Sequence, residues 1–175
     1  MRQIKNLGTI GSILILGGII PVIGPILGLV GFIMVIIAIY QISNLSGQKT
    51  IFRDYLVSII LGGIIPMLLA IVGGVSMTVG FLKGGKGGLS IAGILTLAAI
   101  WIAFIVAGFF LKKSFFKIAE VSGVSTFNTA GNLYFIGSIL IILFGVGGIL
   151  MFVSLILQII AFASFPQVFP TKTQP

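Results

Sequence analysis

The chain lacks cysteine and histidine altogether, and it has only two acidic residues among 175. Without a thiolate or an imidazole, iron–sulfur clusters, histidine-ligated haem and the usual zinc sites are excluded. Charge of any sign is scarce: Asp, Glu, Lys and Arg make up 7 % of the residues, whereas a soluble domain has about a quarter. So few charges cannot cover a water-facing surface. Disorder is excluded too, because it requires low hydrophobicity and much charge.

What the chain has in quantity is apolar sequence. Hydrophobic residues make up 58 % of it, and the mean hydropathy is +1.33. Charges leave four uninterrupted runs, at 6–48, 55–82, 87–111 and 121–171. One membrane-spanning helix takes about 20 apolar residues, so each middle run holds one span and each outer run has room for two. The composition therefore predicts an integral, all-α membrane protein.

Both outer runs contain helix breakers near their middle. Glycines and prolines cluster at 17–25 in the first run, and glycines recur at 145–148 in the last. Such residues let a helix stop and the chain turn back. The prediction is a polytopic transmembrane helical bundle, in one domain over 1–165, with a Pro-rich irregular tail at 166–175. It has two tight outer hairpins and two longer central helices, with hydrophobic segments at 5–21, 25–43, 55–81, 89–111, 131–146 and 148–165.

The distribution of positive charge supports six segments. Cytoplasmic loops carry an excess of Lys and Arg, and six segments put eight of the ten basic residues on one side and only Lys83 and Lys86 on the other. A single span in each outer run would divide them five to five. We therefore expect a multi-pass protein of the cell membrane with both termini cytoplasmic. A re-entrant hairpin gives the same division, so full crossing and re-entry both stay open for the outer hairpins.

A stripe of small residues recurs at every fourth position of the third segment and continues in the fourth. Small residues at this spacing let helix backbones approach closely in lipid, so the stripe predicts helix packing, although Gly and Ala are common in membrane helices anyway. Pro66 is also expected to kink its helix. The stripe comprises Ser58, Gly62, Pro66, Ala70, Gly74 and Thr78, followed by Ala99, Ala103 and Ala107.

Two short patterns occur twice. The sequence IGSILI at 10–15 returns at 136–141, and Ile42, Ser46, Gly47 and Thr50 return 76 residues later as Ile118, Ser122, Gly123 and Thr126. The first pattern is displaced by 126 residues and the second by 76, so one duplication does not explain both. A true repeat and chance similarity in a chain rich in Ile, Leu and Gly are both left open.

Apart from Lys5 at the very start of the first segment, no Asp, Glu, Lys, Arg or His lies within a predicted span. Asp54 follows Arg53, and Glu120 lies three residues beyond Lys117, which predicts ordinary surface pairs. The missing acid–base and metal-binding groups disfavour an enzyme, and no cofactor is expected.

The polar candidates inside the bilayer are Asn132, Ser154 and Gln158. They are expected to form interhelical hydrogen bonds, with a polar pathway as the alternative. Trp101, midway along the fourth segment, needs a partner for its indole N–H.

Lys112, Lys113 and Lys117 alternate with aromatic and aliphatic residues just beyond the fourth segment. This is the composition of a short interfacial helix on anionic lipid headgroups, although an ordinary positive-inside anchor fits equally well. The remaining basic residues are dispersed over loops and termini, so the net charge of +8 gives no case for nucleic acid.

The segment LKKSFFKIAEVSGVSTFNTAG at 111–131, followed by Tyr134 and Ile136-Gly137, resembles a prokaryotic, largely archaeal family of small multi-span membrane proteins. The glycine pattern Leu7-Gly8-x-x-Gly11, leading into PILGLVG at 25–31, fits the same family. That family is described only as a domain of unknown function. The resemblance implies a polytopic membrane protein and brings no catalytic residues with it.

Taken together, the sequence favours a non-enzymatic structural or accessory protein of the lipid bilayer, packing with itself as a homo-oligomer or with a larger membrane complex. The alternative is a channel or carrier for a small neutral or apolar solute. A dry bundle with a small-residue seam would favour the first function. A polar cavity between the fifth and sixth segments would favour the second.

Overall fold

The computed structural model describes residues 1–71, 74, 91–142 and 145–166. Every regular element among these residues is helical, which confirms the all-α prediction. Thr78, the glycine-rich turn at 83–88 and the tail at 167–175 lie outside the described residues. The helices are α1 (Arg2–Gly17), α2 (Gly24–Leu45), α3 (Lys49–Ile71), α4 (Ile91–Ser122), α5 (Thr126–Leu140) and α6 (Val146–Ala163).

Four of the described helices, α2, α3, α4 and α6, are long and apolar enough to cross a membrane. By contrast, α1 has 16 residues and α5 has 15. At 1.5 Å per residue these two helices are about 22–24 Å long, less than a hydrocarbon core of about 30 Å. A multi-pass membrane protein is therefore supported, while complete crossing by α1 and α5 stays a prediction.

Among the described residues, four helix boundaries differ from the predicted segments by five residues or more. Helix α3 begins at Lys49 rather than at 55, α4 continues to Ser122 rather than ending at 111, and α5 covers Thr126–Leu140 rather than 131–146. Charged residues mark where a helix leaves the hydrocarbon, but they do not end it, since a charged helix turn in water keeps its backbone hydrogen bonds. The stretch at 112–122 is consequently the last part of α4 and not a separate interfacial helix.

The glycine and proline clusters of the two outer runs interrupt the helices largely as predicted. Between α1 and α2 the chain reverses through the turn at 18–23, and before α6 it reverses at Gly145, whose φ of +94° is one that residues with a side chain rarely adopt. Helices α1 and α2 then pack backbone to backbone. A Cβ added to Gly11 would lie 2.7 Å from the carbonyl oxygen of Gly31, so this contact requires glycine.

The six helices that the structure describes form a ring in which each packs on the next along the chain and α6 packs on α1. The buried core draws on the first halves of α1, α3 and α5 and the second halves of α2, α4 and α6. Because successive helices alternate in direction, all of these halves lie at one end of the bundle. Every Lys and Arg that the structure describes lies there too, so we call it the basic end and its opposite the far end. The residues defining the basic end are Arg2, Lys5, Lys49, Arg53, Lys112, Lys113 and Lys117.

A π-helical turn interrupts α3 at Ile60–Ile64, immediately before Pro66. Proline has no backbone N–H to donate to the carbonyl four residues earlier, and its ring crowds that carbonyl. A wider turn relieves the crowding. The irregularity expected at Pro66 therefore takes the form of a π turn on its N-terminal side.

The repeated patterns occupy equivalent places in the fold. The α2–α3 and α4–α5 turns each contain a glycine with positive φ, +70° at Gly47 and +73° at Gly123. In each turn the preceding serine accepts a hydrogen bond from a backbone N–H two residues later, at 3.4 Å for Ser46 and 3.2 Å for Ser122. The two copies of this pattern thus build the same turn.

Candidate functional site

The most polar part of the bundle is the junction of α3 and α4 at the basic end. Lys117 Nζ donates to Oδ2 of Asp54 at 2.6 Å, and Arg53 Nη2 approaches Oδ1 of Asp54 at 3.3 Å. The side chain of Asp54 is 0 % exposed, that of Lys117 is 22 % exposed and that of Arg53 is 66 % exposed. The junction therefore has one strong ion pair, Asp54–Lys117, with Arg53 as an outer and largely hydrated partner.

This arrangement corrects the two predicted surface pairs. Asp54 does contact Arg53, but it is buried, and its close partner is Lys117, 63 residues away. Glu120 is exposed and does not form an ion pair with Lys117. The continuation of α4 beyond the membrane carries Lys117 against α3, which spacing along the chain alone could not reveal.

A buried serine adds a second polar link between the same two helices. Ser114 Oγ donates to the carbonyl oxygen of Ile51 at 2.9 Å. That carbonyl lies in the first turns of α3, directly before the ion pair. Around both links pack large apolar side chains of the core, among them Phe115 and Tyr55. The junction is thus held by an ion pair and a hydrogen bond among apolar side chains, where the low local dielectric strengthens both interactions.

The polar residues predicted on α6 bond to its two neighbours. Ser154 Oγ donates to the carbonyl oxygen of Ala130 on α5 at 2.7 Å, and Gln158 Nε2 donates to Ser12 Oγ on α1 at 3.0 Å. All three side chains that take part are buried. Asn132, the third candidate for a polar path, is half-buried on α5. Ser154 and Gln158 therefore act as interhelical links, the first of the two roles expected for them.

Trp101 finds the partner that its indole requires. Its Nε1 donates to the carbonyl oxygen of Ile139 at 3.1 Å. The last four carbonyls of a helix have no partner within it, and α5 ends at Leu140, so Trp101 satisfies one of them. The ring also lines an apolar groove of about 520 Å³ between α4 and the end of α5. This position favours a packing role for Trp101.

The predicted small-residue stripe divides into two parts. Towards the basic end Ser58 and Pro66 are buried, and Gly62 lies so close to Ala107 that an added Cβ would be 3.0 Å from the alanine Cβ. Ala103 is half-buried. Towards the far end the described members are exposed, namely Ala70, Gly74 and Ala99. Among the described members, the close contact between α3 and α4 is that of Gly62 with Ala107.

The three lysines predicted to meet lipid headgroups have three different environments. Lys112 Nζ lies 5.3 Å from the ring centroid of Phe135 and 5.6 Å from that of Phe116, within the range of cation–π contact. Lys113 is exposed, and Lys117 is bound to Asp54. Lys113 therefore remains the most available of the three to an external group.

Next to these lysines a cleft opens between the end of α4 and the start of α5, with a volume of about 550 Å³. The Oδ1 atom of Asn128 in its wall is buried and has no hydrogen-bond partner among the described residues. Asn128 lies within the segment 111–131 that resembles the family, but an uncharged amide in that segment does not by itself indicate a binding site. The cleft is lined by Lys113, Phe116, Lys117, Ala119, Glu120, Gly123, Ser125 and Asn128.

Comparison with known proteins places this architecture in a family. The model of a family described as "Protein of unknown function (DUF996)" matches residues 27–165, from the early part of α2 to just beyond α6. The chain belongs to this family. It is also 31 % identical over 168 residues to the uncharacterized protein MJ1644 of Methanocaldococcus jannaschii, covering 95 % of this chain and 93 % of that protein. No solved structure matches the chain.

The residues matched by the family model include the candidate site. The family region contains both the Asp54–Lys117 junction and the cleft, whereas α1 lies before it. Membership confirms the predicted resemblance to an archaeal family of unknown function, and it assigns no activity.

Proposed function

We propose that this protein is a non-enzymatic structural or accessory component of the cell membrane, which packs with itself or with the subunits of a larger complex. The observation that carries the proposal is the hydrogen bonding of the Ser154 and Gln158 side chains. Of the three polar side chains that could line a solute path, these two instead bond to neighbouring helices. A bundle cross-linked in this way suits a rigid element better than a carrier, which has to rearrange its helices around a substrate.

The exposed part of the small-residue stripe supports assembly. Ala70 on α3 and Ala99 on α4 are exposed towards the far end, and small residues allow close approach of a further helix in lipid. Neither side chain is buried against the described residues of the bundle. Both positions can therefore be enlarged to test assembly without disturbing the fold.

Assembly is tested by the mass of the protein after gentle extraction from native membranes. Light scattering and native mass spectrometry are expected to give a multiple of the 18.4 kDa chain mass, or a stoichiometric complex with other subunits. Ala99→Leu should weaken that assembly, while Leu97→Ile, on the same helix and also exposed, should leave it intact. Recovery of a lone chain, without partners, would contradict the proposal.

The alternative function, a channel or carrier for a small neutral solute, is tested with reconstituted vesicles. Gln158→Leu removes a polar side chain from the bundle interior. If the protein conducts a solute and Gln158 lines the path, this variant changes the flux. Absence of flux in both the wild type and the variant is the result expected for a structural component.

Orientation belongs to the same proposal: we place the basic end and both termini in the cytoplasm, following the charge rule. The chain has no cysteine, so single-cysteine variants report accessibility without background. Val22→Cys, in the exposed α1–α2 turn at the far end, should react with a membrane-impermeant maleimide from outside intact cells. Asn44→Cys, exposed at the basic end, should react only after lysis. Protection of Val22→Cys in both states would indicate a re-entrant hairpin.

A further inference from the structure

We propose that the cleft between α4 and α5 binds a phosphoethanolamine group, supplied as the headgroup of a phospholipid in the adjacent leaflet. This inference is independent of the assembly proposed above. It rests on the position of the cleft relative to the membrane, on the order of charges along it and on the unpartnered oxygen of Asn128.

The cleft begins where α4 leaves the hydrocarbon. The apolar part of α4, from Ile91 to Leu111, is about 31 Å long at 1.5 Å per residue, close to the thickness of a hydrocarbon core of about 30 Å. Lys112 follows directly, and the α4 side of the cleft extends from Lys113 to Gly123. The cleft therefore opens at the depth of the lipid headgroups.

Charges along the α4 side are ordered from cation to anion. Lys113, Lys117 and Glu120 are spaced so that they share one face of the helix, and all three line the cleft. Glu120 lies about 4.5 Å further along the helix axis than Lys117, on the side away from the membrane. A zwitterionic headgroup has the complementary order, with its phosphate next to the lipid glycerol and its ammonium further out.

Asn128 on the opposite wall calls for a hydrogen-bond donor. Its Oδ1 is buried and has no partner among the described residues, and an unpaired buried acceptor is costly. The ammonium of ethanolamine has N–H donors for the Glu120 carboxylate, and a rotation of the Asn128 side chain would bring its oxygen to the same ammonium. A headgroup with negative charge alone would leave the Glu120 carboxylate without a cation.

The remaining contacts of the cleft are consistent with such a ligand. Phe116 and Ala119 provide an apolar surface for the two-carbon link between phosphate and ammonium. Lys117 is held in place by Asp54 but is still 22 % exposed, and an ammonium nitrogen has three donors, so it can bind a phosphate oxygen as well. Exposed Lys113 supplies the second cation.

The test is lipid titration of the purified full-length protein in detergent, followed by native mass spectrometry. Phosphatidylethanolamine should bind about tenfold more tightly than phosphatidylcholine, whose quaternary ammonium has no N–H, because charged hydrogen bonds contribute on that scale. It should also exceed phosphatidylglycerol. Equal or tighter binding of either competitor would overturn the proposal.

Variants locate the binding. Glu120→Gln should abolish the preference for phosphatidylethanolamine, and the fold should survive because Glu120 is exposed. Lys49→Gln, exposed at the same end but outside the cleft, is the matched control and should retain the preference. Retention of the preference by Glu120→Gln would contradict the site.

Free phosphoethanolamine distinguishes the two sources of this headgroup. Weak competition by the soluble compound is expected, since the lipid gains further contacts through its chains. Competition as strong as that of the lipid would overturn the assignment to a membrane lipid and show that the cleft takes a soluble ligand of the same chemistry.

Discussion

The Asp54–Lys117 ion pair predicts a large loss of stability when either partner is removed alone. Replacing Lys117 with methionine keeps the side-chain volume but leaves a carboxylate that is 0 % exposed, with only Arg53 at 3.3 Å. Removing one partner of a buried pair costs about 3–5 kcal/mol. Because Lys117 is itself 22 % exposed and Arg53 remains, we expect a loss at the lower end, about 3 kcal/mol.

The double replacement of Asp54 by leucine and Lys117 by methionine measures the interaction energy of the pair, separately from the effect of each single replacement. Buried ion pairs exchanged for apolar residues of similar size are often neutral or better, since no charge is then left without a partner. We therefore expect the double variant to be more stable than Lys117→Met alone. The coupling energy between the two sites should be about 2–3 kcal/mol.

Reversible unfolding in bicelles measures these free energies, and thermal melting in detergent ranks the variants. Lys113→Met is the matched control, an exposed lysine one turn earlier on the same helix, and it should change stability by less than about 0.5 kcal/mol. Arg53→Gln should be similarly mild, because the Arg53 side chain is 66 % exposed. Equal effects of Lys117→Met and Lys113→Met would refute the claim that the ion pair holds α3 against α4.

Three further changes probe the packing elsewhere. Gly31→Ala places a methyl group against the carbonyl oxygen of Gly11 and should destabilise by about 1–3 kcal/mol in the same unfolding assay, whereas Gly63→Ala, with nothing within 4 Å, should be neutral or stabilising. Gln158→Leu loses the bond to Ser12 and should cost about 1–2 kcal/mol; an unchanged melting temperature would contradict the link. Trp101→Phe frees an α5 carbonyl and should cost about 1 kcal/mol by the same measurement.

Much of the fold could be predicted from the sequence because lipid imposes simple rules. Apolar runs of sufficient length become helices, and the clusters at 17–25 and 145–148 provide the turns. The gathering of basic residues at one end also followed from the segment count. What the sequence could not show was how far α3 and α4 continue into water. Charge marks the membrane boundary, and nothing in the chain indicates a helix end until the glycine turns at Gly47 and Gly123.

The candidate site was harder to predict because its residues meet only in three dimensions. The sequence singles out Lys112, Lys113 and Lys117 as a group for lipid headgroups, but the partner of Lys117 is 63 residues away. Asn128 was missed entirely, since a lone amide after a turn has no distinguishing pattern. The sequence predicts that Asp54, just outside an apolar run, is hydrated. Its burial depends instead on the neighbouring helix, which the run itself does not indicate.

The unequal displacements of the repeated patterns, 126 and 76 residues, have a structural explanation. Each pair of helices, α1–α2, α3–α4 and α5–α6, has a close contact between small residues: Gly11 with Gly31, Gly62 with Ala107, and Gly137 with Gly147. The partners are 20, 45 and 10 residues apart, so the stretch of chain between the two contact residues differs in length from pair to pair.

Ala107 follows Gly31 by 76 residues, the same displacement that relates the two turns of the basic end, and Gly137 follows Gly11 by 126. The two displacements therefore join corresponding places in three helical hairpins, the second helix of α1–α2 to that of α3–α4 and the first helix of α1–α2 to that of α5–α6. On this description the shared features, the glycine turns and the buried core, belong to the basic end. The Asp54–Lys117 pair belongs to the second hairpin, α3–α4, and the cleft lies where this hairpin meets the third, α5–α6. We therefore expect function to be found first at the meeting of α4 and α5.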